Sequence, residues 1–182
     1  MFIQTEETPN PQALKFLPGR IVMEEGSCEI TSSEGAQKSP LAERLFRING
    51  VQGVFYGSEF ITVTKREDLD WGVLKPSILA SIMEHYLCHE PLFQGENKFS
   101  STSSENDDPL VLQIKELLDT RIRPAVAMDG GDIVFDKFEE GVVYLRMQGS
   151  CSGCPSSSAT LKTGIENMLR HYVPEVVEVR AV

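Results

Sequence analysis

Two cysteines separated by two residues form the strongest chemical signal in the sequence. Cys151 and Cys154 lie in the segment Gly-Ser-Cys-Ser-Gly-Cys-Pro, between a predicted strand and a predicted helix. Two intervening residues let both sulfurs turn toward one centre, and Ser152 and Gly153 permit the tight backbone that this needs. Pro155 suits the first turn of a helix, which would make Cys154 the N-cap, where the helix dipole favours a thiolate. The pair is therefore suited to binding a soft metal.

Spacing alone leaves three interpretations of this pair open. The cysteines could be inert or disulfide-bonded, they could cycle as a thioredoxin-type dithiol, or they could bind metal. The dithiol interpretation is disfavoured, because no aromatic residue precedes the first cysteine and no proline separates the two. Zinc sites and iron–sulfur cubanes commonly take four protein ligands, whereas this motif supplies two. The metal interpretation therefore needs a second pair of ligands.

The missing ligands have three potential sources: the other two cysteines, a second copy of the chain, or groups from outside. Cys28 and Cys88 are 60 residues apart, in a different part of the chain from the motif. A symmetric dimer would bring two identical pairs together at its axis without any new residue type. We therefore expect a homodimer that shares one metal centre.

The composition bounds the kinds of protein that could carry this motif. The chain has 182 residues, of which 41% are hydrophobic and 24% charged, which is typical of a soluble globular protein with a sizeable core. The formal net charge of −10 argues against generic electrostatic binding to nucleic acid or to an anionic membrane. No apolar run of about 18 residues is present, so no transmembrane helix is expected.

The chain divides into two predicted domains, residues 1–94 and 109–182, joined by a polar linker at 95–108. The linker has one large apolar residue, Phe99, so we expect it to be flexible. Of the net charge, −5 falls in the first domain, −3 in the linker and −2 in the second domain. The acidic first domain could be a docking surface for partner proteins or simply a solvated surface.

Hydrophobic periodicity predicts the α+β class, with two small layered α/β domains that each contain helix, β-hairpin and helix in that order. In the first domain the predicted strands are 13–17, 21–23, 51–56 and 60–65, with helices from Pro40 and over 71–87. Pro76 predicts that the latter helix begins near Lys75. In the second domain the predictions are a helix from Leu110 to Ile122, a hairpin at 132–138 and 142–147, a helix at 155–172 and a strand at 176–179.

The second domain closely resembles the C-terminal domain of the Nfu/NifU family. The resemblance rests on Asp-Gly-Gly-Asp-Ile (129–133), on the cysteine segment from Gly149 to Pro155 and on Ser-Ala-Thr-Leu-Lys (158–162). The first domain resembles the Nfu N-terminal domain in its opening Met-Phe-Ile-Gln-Thr, in Thr-Pro-Asn-Pro (8–11) and in Leu-Lys-Phe (14–16). Together these matches cover nearly the whole chain outside the linker.

The resemblance implies an iron–sulfur cluster assembly protein and carrier rather than an enzyme. Family members hold a 4Fe-4S cluster between two subunits through this cysteine pair, here Cys151 and Cys154, and pass it to apo iron–sulfur target proteins. An upstream scaffold would donate the cluster, and neither nucleic acid nor membrane is an expected partner. A dithiol redox module and a zinc-binding interaction protein are the alternatives.

Three further groups of residues have competing interpretations. The Asp129–Asp132 segment could support the cysteine loop, or it could be a helix-to-strand turn that needs glycine. His85, Cys88 and His89 share a helical face and could bind a metal, or they could be ordinary residues near a helix end. Four aromatic residues are expected to fill the first core: Phe55, Tyr56, Phe60 and Trp71.

The first residues bear on the compartment. Glu6 and Glu7 stand where a signal peptide needs basic residues, and an Arg- and Ser-rich transit peptide is not apparent. The expected location is a reducing cytoplasm, as in a bacterium, and the alternative is the mitochondrial matrix for a processed protein.

Overall fold

The computed structural model describes residues 1–95, 108–152 and 155–182, and the side chains of all of these except 155–158. Within these residues the chain forms two sheets, each packed with helices, which confirms the predicted α+β class. The predicted linker falls outside the described residues except at its two ends. The domain boundaries at 94 and 109 therefore stay predictions.

The first sheet has five antiparallel strands in the spatial order β1–β2–β5–β4–β3. The strands are β1 (Gln4–Glu7), β2 (Ala13–Leu17), β3 (Cys28–Ile30), β4 (Val51–Tyr56) and β5 (Ile61–Lys65). Buried aliphatic and aromatic side chains alternate along the central strands, as a sheet covered on one face by helices requires.

Three helices complete the first core: α1 (Ser33–Ala36), α2 (Pro40–Phe46) and α3 (Trp71–Leu87). The Ser39 side chain accepts a hydrogen bond from the Ala42 N–H and caps α2, which begins at Pro40 as predicted. The prediction that α3 begins near Lys75 is wrong, because the helix runs unbroken through Pro76. Asp70 caps its start, and buried Leu74, Ile78 and Ile82 hold the helix on the core despite the missing N–H of the proline.

The strand predicted at residues 21–23 does not form. The N–H groups of Val22 and Met23 both donate to the Ser58 carbonyl, at 2.7 and 3.2 Å. These bonds tie the segment to the turn between β4 and β5, so its buried apolar side chains enter the core without a strand partner. Val22 and Met23 are buried, whereas Ile21 is exposed, so the apolar run reflects the burial of two side chains rather than sheet pairing.

The second domain has a three-stranded sheet in the order β6–β7–β8. Its strands are β6 (Gly131–Glu139), β7 (Val142–Gly149) and β8 (Glu178–Ala181), the last lying two residues beyond its predicted position. Its helices are α4 (Pro109–Leu117), α5 (Arg123–Met128) and α6 (Pro155–Tyr172), with one π-helical turn (Leu118–Ile122) between α4 and α5. The chain thus stays helical beyond the predicted end at Ile122, with Pro124 in the first turn of α5 directly after the π-helical turn.

The two domains pack against each other through the face of the first sheet that the helices leave uncovered. Lys15, Thr62, Phe55 and Glu29 are register partners across four strands, because Lys15 pairs with Thr62, Thr62 with Phe55, and Phe55 with Glu29. We call these four residues the cross-strand row. Glu29 and Phe55 contact the end of β7, and Thr62 and Lys15 contact the turn between α5 and β6. This row is therefore the feature that positions the candidate site.

Candidate metal centre

Cys151 lies in the loop between β7 and α6, where the sequence predicts it. Gly149 ends the strand with a positive φ of 65°, and a hydrogen bond from the Ser152 N–H to its carbonyl closes a turn around Ser150 and Cys151. The Cys151 side chain is 5% exposed and packs in the second core. Its predicted partner Cys154 lies outside the described residues, so the pairing of the two sulfurs stays a prediction.

The sulfur of Cys151 rests against the bare backbone of Gly131. A Cβ atom added at Gly131 would lie 2.6 Å from the Cys151 Sγ and 2.8 Å from the Gln148 carbonyl oxygen. Both distances are too short for any real side chain, so only glycine allows the sulfur to occupy this position. The glycine at position 131 therefore helps to set where the sulfur of this candidate ligand lies.

The Asp-Gly-Gly-Asp segment (129–132) is hydrogen-bonded to the cysteine loop. The Ser150 N–H donates to the Gly130 carbonyl at 3.2 Å, and the Ser150 hydroxyl donates to the Asp129 carbonyl. Gly130 has a φ of 79°, which a turn from α5 into β6 requires and which glycine adopts most readily. Both interpretations of the segment therefore hold: it is a helix-to-strand turn, and it supports the loop that contains Cys151.

A charged pair fixes the start of β6 beside this turn. Arg123 binds the nearly buried Asp132 with two parallel bonds, Nε to Oδ1 and Nη2 to Oδ2, both 2.9 Å long. The bonds to Asp132 raise the pKa of the Arg123 guanidinium, and Asp119 adds to the effect. No motif in the sequence marks Arg123, although it lies only nine residues before Asp132 in the chain.

Side chains of the first domain complete the surroundings of the loop. The Glu29 carboxylate accepts a hydrogen bond from the Gly149 N–H at 2.9 Å, and the Asn10 amide donates to the Ser150 carbonyl at 3.3 Å. The Thr62 hydroxyl donates to the Gly130 carbonyl at 2.7 Å. Sequence reasoning missed these three residues, because each is distant in the chain from the backbone that it contacts.

Burial changes the pKa of the Glu29 carboxyl group, which bonds to the Gly149 N–H. Desolvation raises the pKa of Glu29, and the hydrogen bond from the Gly149 N–H opposes that rise. The ammonium group of Lys15 donates to the Met128 carbonyl at 3.3 Å, at the other end of the cross-strand row. Polar groups of the first domain thus contact the backbone on both sides of the glycine turn.

The other two cysteines are not brought to the loop. Cys28 packs against the first core, whereas Cys151 belongs to the second, and Cys88 is exposed at the end of α3. Desolvation, followed by the nearby Glu29 charge, raises the pKa of Cys28 to about 11, so it is a thiol near neutral pH. Across residues 1–95, 108–152 and 155–182, no three His, Cys, Asp or Glu side chains form a group that could hold a metal.

The residues near the end of α3 follow the simpler of their two interpretations. His85 is 1% exposed and lies 3.7 Å from the Glu90 carboxylate, and desolvation lowers its pKa. The His89 ring instead contacts the Leu87 carbonyl at 3.0 Å, and Cys88 is exposed. The three side chains thus have different surroundings, and we do not retain a second metal site.

The aromatic prediction is correct for two residues of four. Tyr56 is fully buried in the first core and Trp71 packs against that core. Phe55 and Phe60 are buried on the opposite face of the sheet, where both face the second domain and their ring centroids lie 5.8 Å apart. Alternation along β4 explains the difference, since consecutive residues of a strand point to opposite faces.

Comparison with known proteins gives consistent matches to both halves of the chain. Residues 3–89 match the family model described as "Scaffold protein Nfu/NifU N terminal", and residues 114–180 match the "NifU-like domain". In the part of the chain that the structure describes, no helix is long and apolar enough to cross a membrane.

Two curated relatives are similar over almost the whole chain. The human protein "NFU1 iron-sulfur cluster scaffold homolog, mitochondrial" is 54% identical over 183 residues, which covers 100% of this chain and 72% of the relative. "NifU-like protein 5, mitochondrial" of Arabidopsis thaliana is 55% identical over 181 residues, covering 97% of this chain and 66% of the relative. A solution NMR structure of a NifU-like protein from Saccharomyces cerevisiae is 27% identical, with a TM-score of 0.48, and covers 53% of this chain and 87% of that one.

Proposed function

The chain belongs to the Nfu family of iron–sulfur cluster scaffold proteins, and from that premise we propose what it carries and how. We propose that Cys151 and Cys154 bind a 4Fe-4S cluster as cargo, that two copies of the chain share it, and that it is passed on to apo-proteins. The observation that supports this most strongly is the position of the Cys151 sulfur against Gly131, just before the start of α6.

Two ligands per chain make a shared cluster the economical arrangement. A 4Fe-4S cluster is commonly held by four cysteine thiolates, and each chain offers two in this motif. Among the described residues neither Cys28 nor Cys88 belongs to a group of three or more His, Cys, Asp or Glu side chains that could hold a metal. A homodimer with its axis at the loop completes the set with four identical residues.

The loop also suits the release of the cargo. α6 has 18 residues, and its positive N-terminal end favours thiolates and an anionic cluster nearby. An incoming target thiol loses its proton and bonds to iron, while the displaced Cys151 or Cys154 takes up a proton. The exchange leaves the oxidation state of the cluster unchanged, so the transfer needs no redox partner. The chain delivers a cargo and does not turn over a substrate.

Partners and location follow from this role. The targets are apo iron–sulfur proteins, and a donor scaffold supplies the cluster. The curated relatives carry "mitochondrial" in their names, which supports the mitochondrial matrix over the cytoplasm among the two compartments that the sequence suggests. Fractionation of the source cells with an antibody against the chain tests this: signal in the matrix fraction is expected, and signal confined to the cytosol would contradict it.

Anaerobic reconstitution of the full chain tests the function. With ferrous iron and sulfide, we expect about four iron and four sulfide per two chains, a visible absorption band typical of the cluster, and a dimer by light scattering. Cys151→Ser and Cys154→Ser should each lose the band, whereas the exposed Cys88→Ser serves as the control and should keep it. A monomer that takes up no iron would overturn the proposal.

The same preparation separates the alternatives. Stoichiometric zinc in aerobically purified protein, without iron uptake, would favour a zinc-binding interaction protein. Insulin reduction that disappears with Cys151→Ser, again without iron uptake, would favour a dithiol redox module.

A further inference from the structure

We propose that the first domain is a working part of the cluster site, with Glu29 and Asn10 as positioning residues for the loop that contains Cys151. The inference rests on the proposed function, since it assigns these residues to the cluster that the loop would hold. It gives the amino-terminal domain a role that neither the cysteine motif nor the family match specifies.

Two hydrogen bonds from the first domain act on the backbone directly before Cys151. Glu29 binds the N–H of Gly149, and Asn10 binds the carbonyl of Ser150. The Ser150 carbonyl and the Cys151 N–H belong to one planar peptide group, so holding this oxygen fixes the orientation of the peptide that leads into Cys151. The two bonds therefore act on consecutive residues directly before the proposed ligand.

Among the residues that the structure describes, β6 is the one strand that pairs with this part of β7. β8 pairs with β7 only from Val142 to Leu145, so it does not reach Gly149. A buried backbone N–H without a partner is costly, and Glu29 supplies the acceptor. The end of β7 is thus stabilised by a side chain from the other domain where a neighbouring strand would otherwise be needed.

Asn10 is itself held in place by hydrogen bonds within its own turn. Asn10 is 6% exposed, and its Oδ1 atom accepts a hydrogen bond from the Gln12 N–H at 3.0 Å. The Thr8 hydroxyl lies 2.8 Å from both the Asn10 and the Ala13 carbonyl oxygens, to which its single proton can donate in turn. The Thr-Pro-Asn-Pro segment therefore forms a turn in which the oxygen of the Asn10 amide is bonded locally. The nitrogen of the same amide donates to the Ser150 carbonyl.

Glu29 is held by the sheet. It lies in β3 opposite Phe55, whose ring would lie 3.0 Å from a Cβ added at Gly149. The same cross-strand row continues through Thr62, which binds the Gly130 carbonyl, to Lys15, which binds the Met128 carbonyl. One row across four strands thus contacts both the glycine turn and the cysteine loop.

The consequence for the site is mechanical. The Cys151 sulfur lies against the Gly131 backbone. Because the peptide group before Cys151 is planar, rotating it would change the direction of the Cys151 side chain. With the first domain in place, the sulfur is held for metal binding. With these bonds removed, the loop is freer, the thiol is more accessible and a bound cluster is lost sooner.

Three substitutions in the full chain test this. Glu29→Ala removes the acceptor for the Gly149 N–H, whereas Glu29→Gln keeps a carbonyl oxygen in its place. Asn10→Asp keeps the oxygen that accepts from the Gln12 N–H and replaces the donor to Ser150 by a second oxygen. Glu34→Ala is the matched control, because Glu34 is an exposed glutamate in α1.

The first readout needs no cluster. In a Cys154→Ser background, the alkylation rate of Cys151 by N-ethylmaleimide is followed by peptide mass spectrometry. We expect an increase of about tenfold for Glu29→Ala and for Asn10→Asp, and a rate within about twofold of the parent for Glu29→Gln and Glu34→Ala. Equal rates in all four variants, or Glu29→Gln behaving as Glu29→Ala, would overturn the positioning role. Circular dichroism shows that each variant is folded, and Asn10→Asp tests the role from a separate segment if Glu29→Ala does not fold.

The second readout uses the reconstituted chain with both cysteines. The decay of cluster absorbance in air should be several times faster in Glu29→Ala and Asn10→Asp than in the parent, with Glu29→Gln close to the parent. If the parent takes up no cluster, the proposed function fails, and the alkylation assay still decides the positioning role. If the parent holds a cluster whose lifetime none of the variants changes, the positioning role fails and the proposed function stands.

Discussion

The first core and the turn beside Cys151 treat their buried ionisable groups in opposite ways. In the first core, desolvation raises the pKa values of Cys28 and Tyr56 and lowers that of His85, so each is shifted toward its neutral form. In the second domain the nearly buried Asp132 is paired with Arg123 through two hydrogen bonds. Neutral groups fill a core, whereas this charged pair fixes a backbone turn. The contrast indicates that the backbone beside Cys151 is held in one geometry by specific polar contacts.

The largest effect on this geometry should come from filling the space between the Cys151 sulfur and Gly131. Gly131→Ala places a methyl group 2.6 Å from the Cys151 Sγ and 2.8 Å from the Gln148 carbonyl. We expect loss of cluster binding and a free energy of unfolding lower by about 2 kcal/mol, because backbone must shift. Urea unfolding and iron analysis measure the two effects.

Gly164→Ala is the control for that substitution. Gly164 lies inside α6 with nothing within 4 Å of an added Cβ, so the helix should gain up to about 1 kcal/mol from the better helix former. Normal iron binding by Gly131→Ala would show that the position of the sulfur against this backbone does not matter.

The next largest effect should come from breaking the charged pair. Arg123→Ala leaves the Asp132 carboxylate nearly buried without its main partner, which we expect to cost about 2 kcal/mol after allowing for the partial exposure of Arg123. Thermal unfolding measures it, with Arg180→Ala as the comparison because the Arg180–Glu178 pair is exposed. Equal losses for the two variants would remove the distinction drawn here.

The neutral groups of the first core make a pH dependence testable. His85 has a lowered pKa in the folded chain, so the unfolded chain binds more protons once the pH falls below about 6.5. This contribution to stability is fully present above that pH and is lost progressively as the pH falls toward the folded pKa. His85→Gln should flatten the melting temperature between pH 7.5 and 5.5 more than His171→Gln, an exposed position. Identical profiles would indicate that the burial of His85 is not felt.

The smallest effect should come from Cys28, which the structure keeps in the first core. With a pKa of about 11, only about one Cys28 in a thousand is a thiolate at pH 8. Iodoacetamide should therefore modify the exposed Cys88 well before Cys28. Cys28→Ala should cost about 1 kcal/mol of stability and leave iron content unchanged. A loss of iron in this variant would move the site into a single chain.

The sequence was sufficient to predict features that depend on neighbouring residues. The hairpin before the cysteine loop and the helix from Pro155 to Tyr172 follow from local periodicity and turn residues. The strand expected at residues 21–23 failed because apolar character does not distinguish a strand from a buried loop. The predicted start of α3 near Lys75 was wrong for a different reason, because the packing of the helix on the core outweighs the one hydrogen bond that Pro76 removes.

The contacts around the site could not be read in the same way. Glu29 and Gly149 are 120 residues apart, and no local pattern connects them. The cross-strand row has one usable signal, because Phe55 and Thr62 alternate with core residues and so had to lie on the other face of the sheet. What covers that face depends on how the two domains pack, which neither domain encodes by itself.

In the proposed function, two copies of the chain share one cluster through Cys151 and Cys154. Native mass spectrometry of the anaerobically reconstituted chain tests it most directly, with the Cys151→Ser, Cys154→Ser double variant as the blank. We expect one species with the mass of two chains plus four iron and four sulfide, absent from the blank. A single chain that carries the whole cluster, or an iron-free chain under the same conditions, would contradict the claim.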